Sequence, residues 1–220
     1  MNFTRLLLLL LFVFSAPQVN AGQPRTLLIN QLKSGDLIFQ NLDCGSLCDA
    51  IEAVTPAYDG EHFSHVGIIY LNKEGQLMVI EAIGKGVCLT PIQKVLQRSK
   101  NPCYIGRLRS SDSGMARQVI AFALKQEGQP YDDGFIYNNG KYYCSELVYD
   151  AFKAANHQEP FFSMQPMTYK MPGSNEIFPA WKQYFSKLHL TVPEGRPGCS
   201  PGGIASSGKL IMLLLQHAQK

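Results

Sequence analysis

Cys144, His65 and Glu81 are the side chains whose types and settings most invite chemistry. Cys144 stands just before the run Ser145 to Ala155, where Leu147, Val148, Ala151 and Phe152 fall on one stripe of a helix. A cysteine where loop gives way to helix meets unpaired backbone amides and the partial positive charge of that terminus, and both favour thiolate over thiol. Such settings bring a cysteine pKa from about 8.5 into the range of roughly 3.5 to 7.5. His65 and Glu81 lie on two strand-like runs, Ser64 to Tyr70 and Gln76 to Ile83, separated by Leu71-Asn72-Lys73-Glu74-Gly75. A hairpin symmetric about Lys73 puts Tyr70 opposite Gln76, Ile68 opposite Met78 and His65 opposite Glu81. A carboxylate beside an imidazole fixes the ring's tautomer and stabilises its protonated form. His62 competes for the role of base, but it precedes the strand and the register offers it no partner. Taken singly, each pattern has a plain alternative: a small buried cysteine, and a chance His/Glu neighbourhood.

The elements that must carry these groups are legible in outline. Leu37 to Gln40, entered through Ser34-Gly35-Asp36, reads as a short strand, and Leu47 to Val54 as a short helix. Met115 to Glu127 places Val119, Ile120, Ala123 and Leu124 on one helical face, and Gly128-Gln129-Pro130 stops it. From Met164 onward Pro, Gly and aromatic residues suggest irregular packing around the same domain.

The amino terminus sets the context for the cysteines. Met1 to Arg5 carries one positive charge, Leu6 to Phe14 is apolar throughout, and Val19-Asn20-Ala21 offers small residues at a signal-peptidase site. Residues 1–21 are therefore read as a signal peptide and 22–220 as one domain, exported to the periplasm or secreted. The apolar run is shorter than a span of about 20 residues, so no integral membrane segment is expected after cleavage. Removing residues 1–21 takes away Arg5 alone, leaving 19 basic against 17 acidic side chains. That balance is no footprint for nucleic acid. Six cysteines in such a chain invite disulfides. Cys44 and Cys48 are spaced for a local bridge or a redox-sensitive pair, and no second pair of ligands completes a zinc site. Cys88, Cys103 and Cys199 have no setting comparable to that of Cys144 and are read as structural or paired.

Several motifs taken in order carry a family resemblance. Ser34 to Phe39, Ser64-His65-Val66-Gly67-Ile68-Ile69-Tyr70 and Val79-Ile80-Glu81-Ala82 resemble the barrel half of NlpC-type cysteine hydrolases. Gly128-Gln129-Pro130-Tyr131 and Tyr143-Cys144-Ser145-Glu146-Leu147-Val148 resemble the half that bears the cysteine. The histidine strand precedes the cysteine helix, which is the reverse of the NlpC-type order and resembles the circularly permuted papain-like amidases of the YaeF/YiiX type. The resemblance implies an α+β papain-like fold, with a small antiparallel sheet or partial barrel packed against helices. It implies Cys144 as nucleophile, His65 as base, Glu81 as the orienting third group, and Tyr131 as a donor to the oxyanion.

Those roles describe an amidase or peptidase that works through a thioester, with no cofactor and no metal required. The expected substrate is a small peptide or peptidoglycan fragment. An acyl lipid, met by an acyltransferase or thiol esterase, is the alternative, and a non-catalytic binding module is a third. Gln165, Thr168, Tyr169, Lys170, Ser174, Asn175 and Glu176 suggest a mostly polar cleft, against which stand an apolar groove lined by Phe161, Phe162, Phe178 and Trp181 and an exposed apolar end at Leu210 to Leu215.

Overall fold

A computed structural model describes residues 25–216 except 43, 100 and 110–112, so the signal sequence expected over 1–21 lies outside the described residues. The elements in order are β1 (Thr26–Leu28), β2 (Leu37–Gln40), α1 (Ser46–Val54), β3 (His65–Leu71), β4 (Leu77–Ile83), β5 (Gly86–Pro91), α2 (Ile92–Gln97) and β6 (Tyr104–Leu108). They continue with α3 (Ser113–Lys125), α4 (Cys144–Ala155), β7 (Gln165–Pro166), α5 (Pro179–Lys187), β8 (Pro197–Gly198), α6 (Pro201–Ala205) and β9 (Leu210–Gln216). Seven strands form one open sheet in the order β1-β9-β6-β2-β3-β4-β5, antiparallel except for the parallel β1/β9 pair, and β7 and β8 form a separate two-stranded ribbon. The fold is α+β, as expected.

Alternation along the strands divides the core between the two faces of the sheet. Leu37, Phe39, Val66, Ile68, Ile80 and Ala82 pack with Val119 of α3 and with Leu147, Val148, Ala151 and Phe152 of α4. Ile38, Ile69, Val79 and Ile105 face the other way and pack with Ile92 and Val95 of α2. Central strands covered on both faces read as unbroken apolar runs, and all four residues of β2 are buried. Leu210 to Leu215 belongs to β9, with Leu210, Met212, Leu213 and Leu215 all buried. The apolar end expected there is thus a sheet strand that satisfies its backbone between β1 and β6. Among the described residues no helix is long and apolar enough to cross a membrane.

The tail after Met164 is more regular than its composition suggests. It supplies α5, whose Trp181 and Phe185 pack with Tyr169 and with Ala50 of α1 in a separate apolar cluster. Phe161 and Phe162 pack against Phe152 of α4. Cys44 and Cys48 are joined in a disulfide, with Cα atoms 5.3 Å apart, at the entry to α1.

The β3/β4 hairpin corrects the expected register. Ile68 pairs with Ile80, Ile69 with Val79, Tyr70 with Met78 and Leu71 with Leu77, so the turn is centred on Glu74 and not on Lys73. Asn72 closes it: its side-chain oxygen accepts from the Gln76 amide at 2.7 Å, and its own amide donates to the Gln76 carbonyl at 3.0 Å. This two-residue slip keeps every side chain on its expected face, because the strand period is two. It also brings Gly67 against Glu81. A Cβ at Gly67 would lie 2.4 Å from Cγ1 of the buried Val79 and 3.3 Å from Cβ of Glu81. Gly67→Ala is therefore expected to destabilise the protein by about 1–3 kcal/mol through overpacking. The check is the midpoint of urea unfolding; a midpoint unmoved by Gly67→Ala would mean that the close approach is not needed.

Candidate functional site

His65 is the first residue of β3, and parity places it on the face of the sheet shared by Gln40 and Glu81. Its Nε2 lies 2.7 Å from Oε2 of Glu81. Directly opposite Glu81 is not His65, as the symmetric hairpin implied, but the side-chain-free Gly67, and the carboxylate reaches His65 along the diagonal. Cys144 stands close enough to His65 for its side chain and its charge to act on the imidazole. Cys144 is the first residue of α4 and is buried, and Tyr143 before it has extended backbone at φ −91° and ψ 167°. Sheet end and helix start thus bring Cys144, His65 and Glu81 together. His62 stands apart, its Nδ1 3.0 Å from the carbonyl of Glu52.

The electrostatics of the pair follow from burial against partnership. Burial opposes a charge on His65, but the hydrogen bonds with Cys144 and Glu81 and their charges outweigh it and raise its pKa to about 9. Burial likewise opposes ionisation of Glu81, which is 0 % exposed, yet the hydrogen bond and charge of His65 and then those of Arg98 hold it at about 2. The His65 contribution to stability is complete below about 6.5 and is lost as pH rises through about 9, and that of Glu81 is complete above about 4.5 and is lost as pH falls through about 2. Between these limits the buried pair is charged on both sides.

Around Cys144 the chain is pinned by three hydrogen bonds, two to the Cys199 backbone and one to that of Asn138. The Ser145 hydroxyl donates to the Cys199 carbonyl at 2.9 Å, and the Cys199 amide donates to the Tyr143 hydroxyl at 3.3 Å. The Cys199 thiol is buried and pushed well above the usual thiol range by that burial, so it stays protonated. Glu146, in the first turn of α4, is fully buried; its Oε1 accepts from the Asn138 amide at 2.9 Å, and burial raises its pKa to about 8. Asp132 accepts from the amides of Gly134 at 3.0 Å and Ile136 at 2.6 Å. These two carboxyl groups fasten the loop that begins at Tyr131. Tyr131 lines the same cavity as Cys144, and its hydroxyl is held protonated by burial first and by the Cys144 charge next.

That cavity, of about 290 Å³, opens beside Cys144. Its walls include Ile51, Val54, Phe135, Met167, Tyr169 and Trp181 and are chiefly apolar. The polar cleft expected from the tail is therefore not what forms. Of the polar tail residues, Gln165, Thr168 and Tyr169 line it, and Lys170, Ser174, Asn175 and Glu176 lie elsewhere. Of the four candidate groove aromatics, Trp181 alone is in the wall. The contribution of α1 could not be seen in sequence, because it follows from the packing of α1 on α5.

Arg98 and Gln40 were also invisible to sequence reading. Arg98 donates through Nη2 to Oε2 of Glu81, and through Nε and Nη2 to Oε1 of Gln40 at 3.3 and 3.1 Å. A polar residue ending the buried run Leu37-Ile38-Phe39 was the one available signal for Gln40. For Arg98, which follows a helix that the apolar pattern did not predict, there was none. A thiol next to an imidazole, with the imidazole held by a carboxylate, is a set of groups able to generate a thiolate and pass its proton to a leaving group. The His65 imidazole is expected to titrate near pH 9 by NMR in the intact protein and at lower pH in Cys144→Ala, which removes one of the two partners that raise it. An imidazole titrating near 6.5 and unmoved by Cys144→Ala would contradict this.

Comparison with known proteins places this geometry in a family. The sequence pattern described as the permuted papain-like amidase enzyme, YaeF/YiiX, C92 family, matches residues 31–214. The uncharacterized protein YiiX of Escherichia coli K12 is 31% identical over 155 residues, which cover 69% of this chain and 67% of that protein. A crystal structure of the metalloprotein YiiX from Escherichia coli O157:H7 shares the fold with a TM-score of 0.69 at 23% identity, covering 89% of this chain and 99% of that one. Among the described residues here, no three side chains of His, Cys, Asp or Glu gather as a set able to hold a metal ion. The chain, with its histidine strand ahead of its cysteine helix, belongs to the permuted papain-like amidase family of the YaeF/YiiX type.

Proposed function

We propose that this protein is a cysteine hydrolase that cleaves an amide or ester bond through an acyl-enzyme at Cys144, and that the acyl side of its substrate is apolar. The observation that carries the reading is the nearness of Cys144, which lines a chiefly apolar cavity, to the hydrogen-bonded pair of His65 and Glu81 behind it.

The Cys144 sulfur attacks the carbonyl carbon and its S–H proton resides on His65, whose ring is oriented through Nε2 by Glu81. The oxyanion that develops is met by amides at the start of α4, with the protonated Tyr131 hydroxyl available as a further donor. Collapse breaks the bond to the leaving amine or alcohol, which takes the proton from His65 and departs, leaving a thioester on Cys144. His65 then accepts a proton from water as its oxygen attacks the thioester. The acid is released and the proton returns to sulfur. Burial raises the pKa values of Tyr131 and Cys199, which favours their protonated forms and supports Cys144 as the nucleophile in the cavity.

The walls separate the two substrate readings. A stem peptide of peptidoglycan brings charged groups that gain little from Ile51, Val54, Met167 and Trp181, whereas an acyl chain gains about 0.8 kcal/mol for each methylene withdrawn from water. A volume of about 290 Å³ sits near the lower end of small-molecule sites, roughly 300–1,000 Å³, and suits a medium-length chain. The apolar cavity therefore favours the acyl-lipid class over the peptide. The charged, apolar and small-residue pattern of residues 1–21 supports export, which would put the enzyme in reach of envelope lipids.

The test is a series of acyl amides and esters of increasing chain length, assayed beside muropeptides and phospholipid vesicles. The expected result is that kcat/KM rises about tenfold for every two methylenes until the cavity is filled, and that Cys144→Ala abolishes turnover. Cleavage of muropeptides with no dependence on acyl chain length would overturn the acyl reading in favour of a peptidase.

A further inference from the structure

The imidazole and carboxylate at the site do not stand alone. Glu81 is wholly buried, and its Oε2 is shared between His65 and the guanidinium of Arg98, while among the described residues its Oε1 has no partner. Arg98 caps the carboxyl end of α2, on the side of the sheet away from α3 and α4, and keeps about a quarter of its side chain in solvent. Its guanidinium is held by a second fixed point. Oε1 of Gln40 accepts from both Nε and Nη2, and Nε2 of Gln40 donates to the Val95 carbonyl within α2 at 2.8 Å. Gln40 in turn pairs directly with His65 across the β2/β3 ladder. The four side chains form a closed set: His65 to Glu81, Glu81 to Arg98, Arg98 to Gln40, and Gln40 to His65 through the sheet.

Resting on the acyl-enzyme reading above, we infer that Arg98 is a positioning residue for catalysis: its guanidinium, clamped by Gln40, balances the buried Glu81 carboxylate and fixes the oxygen that orients His65. The charge count gives the reason. When Cys144 is a thiolate and His65 an imidazolium, Glu81 adds a second negative charge inside the protein, and a buried charge with no counter-charge is costly. Arg98 brings the four charges to balance. Without it, the cheapest relief is for Glu81 to take up a proton, after which it no longer supports the imidazolium and the thiolate loses its partner. A planar fork reaching two oxygens at once suits arginine more than lysine. The other titratable groups near Glu81 do not replace it: Cys88 is opposite on β5, Cys103 lies beside Gln40, and Cys144 lies beyond His65. None of these brings a positive charge.

The experiment reads Cys144 directly and needs no substrate. The rate of iodoacetamide alkylation of the Cys144 peptide, followed by mass spectrometry from pH 4 to 10, is compared in the unsubstituted protein, R98M, R98Q, R98K and H65A, with folding checked by circular dichroism. The expected result is that R98M and R98Q move the alkylation midpoint up by about one pH unit or more, about a tenfold loss of reactive sulfur on the acid side. R98K, which keeps the charge but not the fork, is expected to recover more than about half of that shift. R98Q keeps a hydrogen-bonding group for Gln40, so an unfolded R98M still leaves the charge tested. A purely structural arginine would lower the rate by the same factor at every pH, and that outcome, or an R98K profile identical to that of R98M, overturns the assignment. A profile moved by H65A and not by R98M or R98Q removes Arg98 alone. A profile unmoved by H65A removes the acyl-enzyme reading and this inference with it.

Discussion

A single buried carboxylate organises one end of this molecule. Glu81 has no solvent exposure and would be expensive to ionise in isolation, so the fold around it is a set of arrangements that hold its charge. The hairpin register sets Gly67 against it, leaving room for the carboxylate to lean toward His65. The chain after β5 turns into α2, and the end of that helix delivers Arg98 to the same oxygen. The strand that lies beside β3 ends in Gln40, which fixes Arg98. The imidazole of His65 is oriented because its partner has so few ways to be satisfied.

The other half of the site is built from packing. The amphipathic helix α4 lies on one face of the sheet with Leu147, Val148, Ala151 and Phe152 inward. Its first residue is therefore set at the boundary between the sheet and the loops, and Ser145, Tyr143 and the Cys199 backbone hold it there. Beyond it, α1 and α5 meet without filling the space in front of Cys144, and their apolar sides become the walls of the cavity. A reactive group on a rigid element, with a separate apolar chamber next to it, allows bond cleavage and substrate choice to be set by different residues.

What the sequence disclosed and what it withheld divide along the range of the interactions. The helix of Cys144 and the strands of His65 and Glu81 were legible because their signals are local and periodic. The exact pairing was misjudged by two residues because the Asn72 side chain closes the turn one position later than symmetry suggests, yet His65 and Glu81 still share a face because a slip of two changes no face. Strand β9 was mistaken for an exposed end, since a run buried on both faces shows no alternation. Arg98, Gln40 and the cavity walls were not legible at all. Arg98 lies 17 residues from Glu81 and 58 from Gln40, and only the completed fold brings them together. The polarity of the site was misread for the same reason, since composition of the tail says nothing about which of its side chains turn inward.

The central claim is that Cys144 carries the acyl group. Incubation of the protein with an acyl ester or amide of medium chain length, quenched in acid during turnover and analysed as peptides, tests it most directly. The expected result is a mass increase equal to the acyl group on the Cys144 peptide, removed by hydroxylamine as a thioester would be and longer-lived in Glu81→Gln, where the base that activates water is poorly oriented. Steady turnover with no acyl mass on Cys144 at any quench time, and with activity retained in Cys144→Ala, would contradict it.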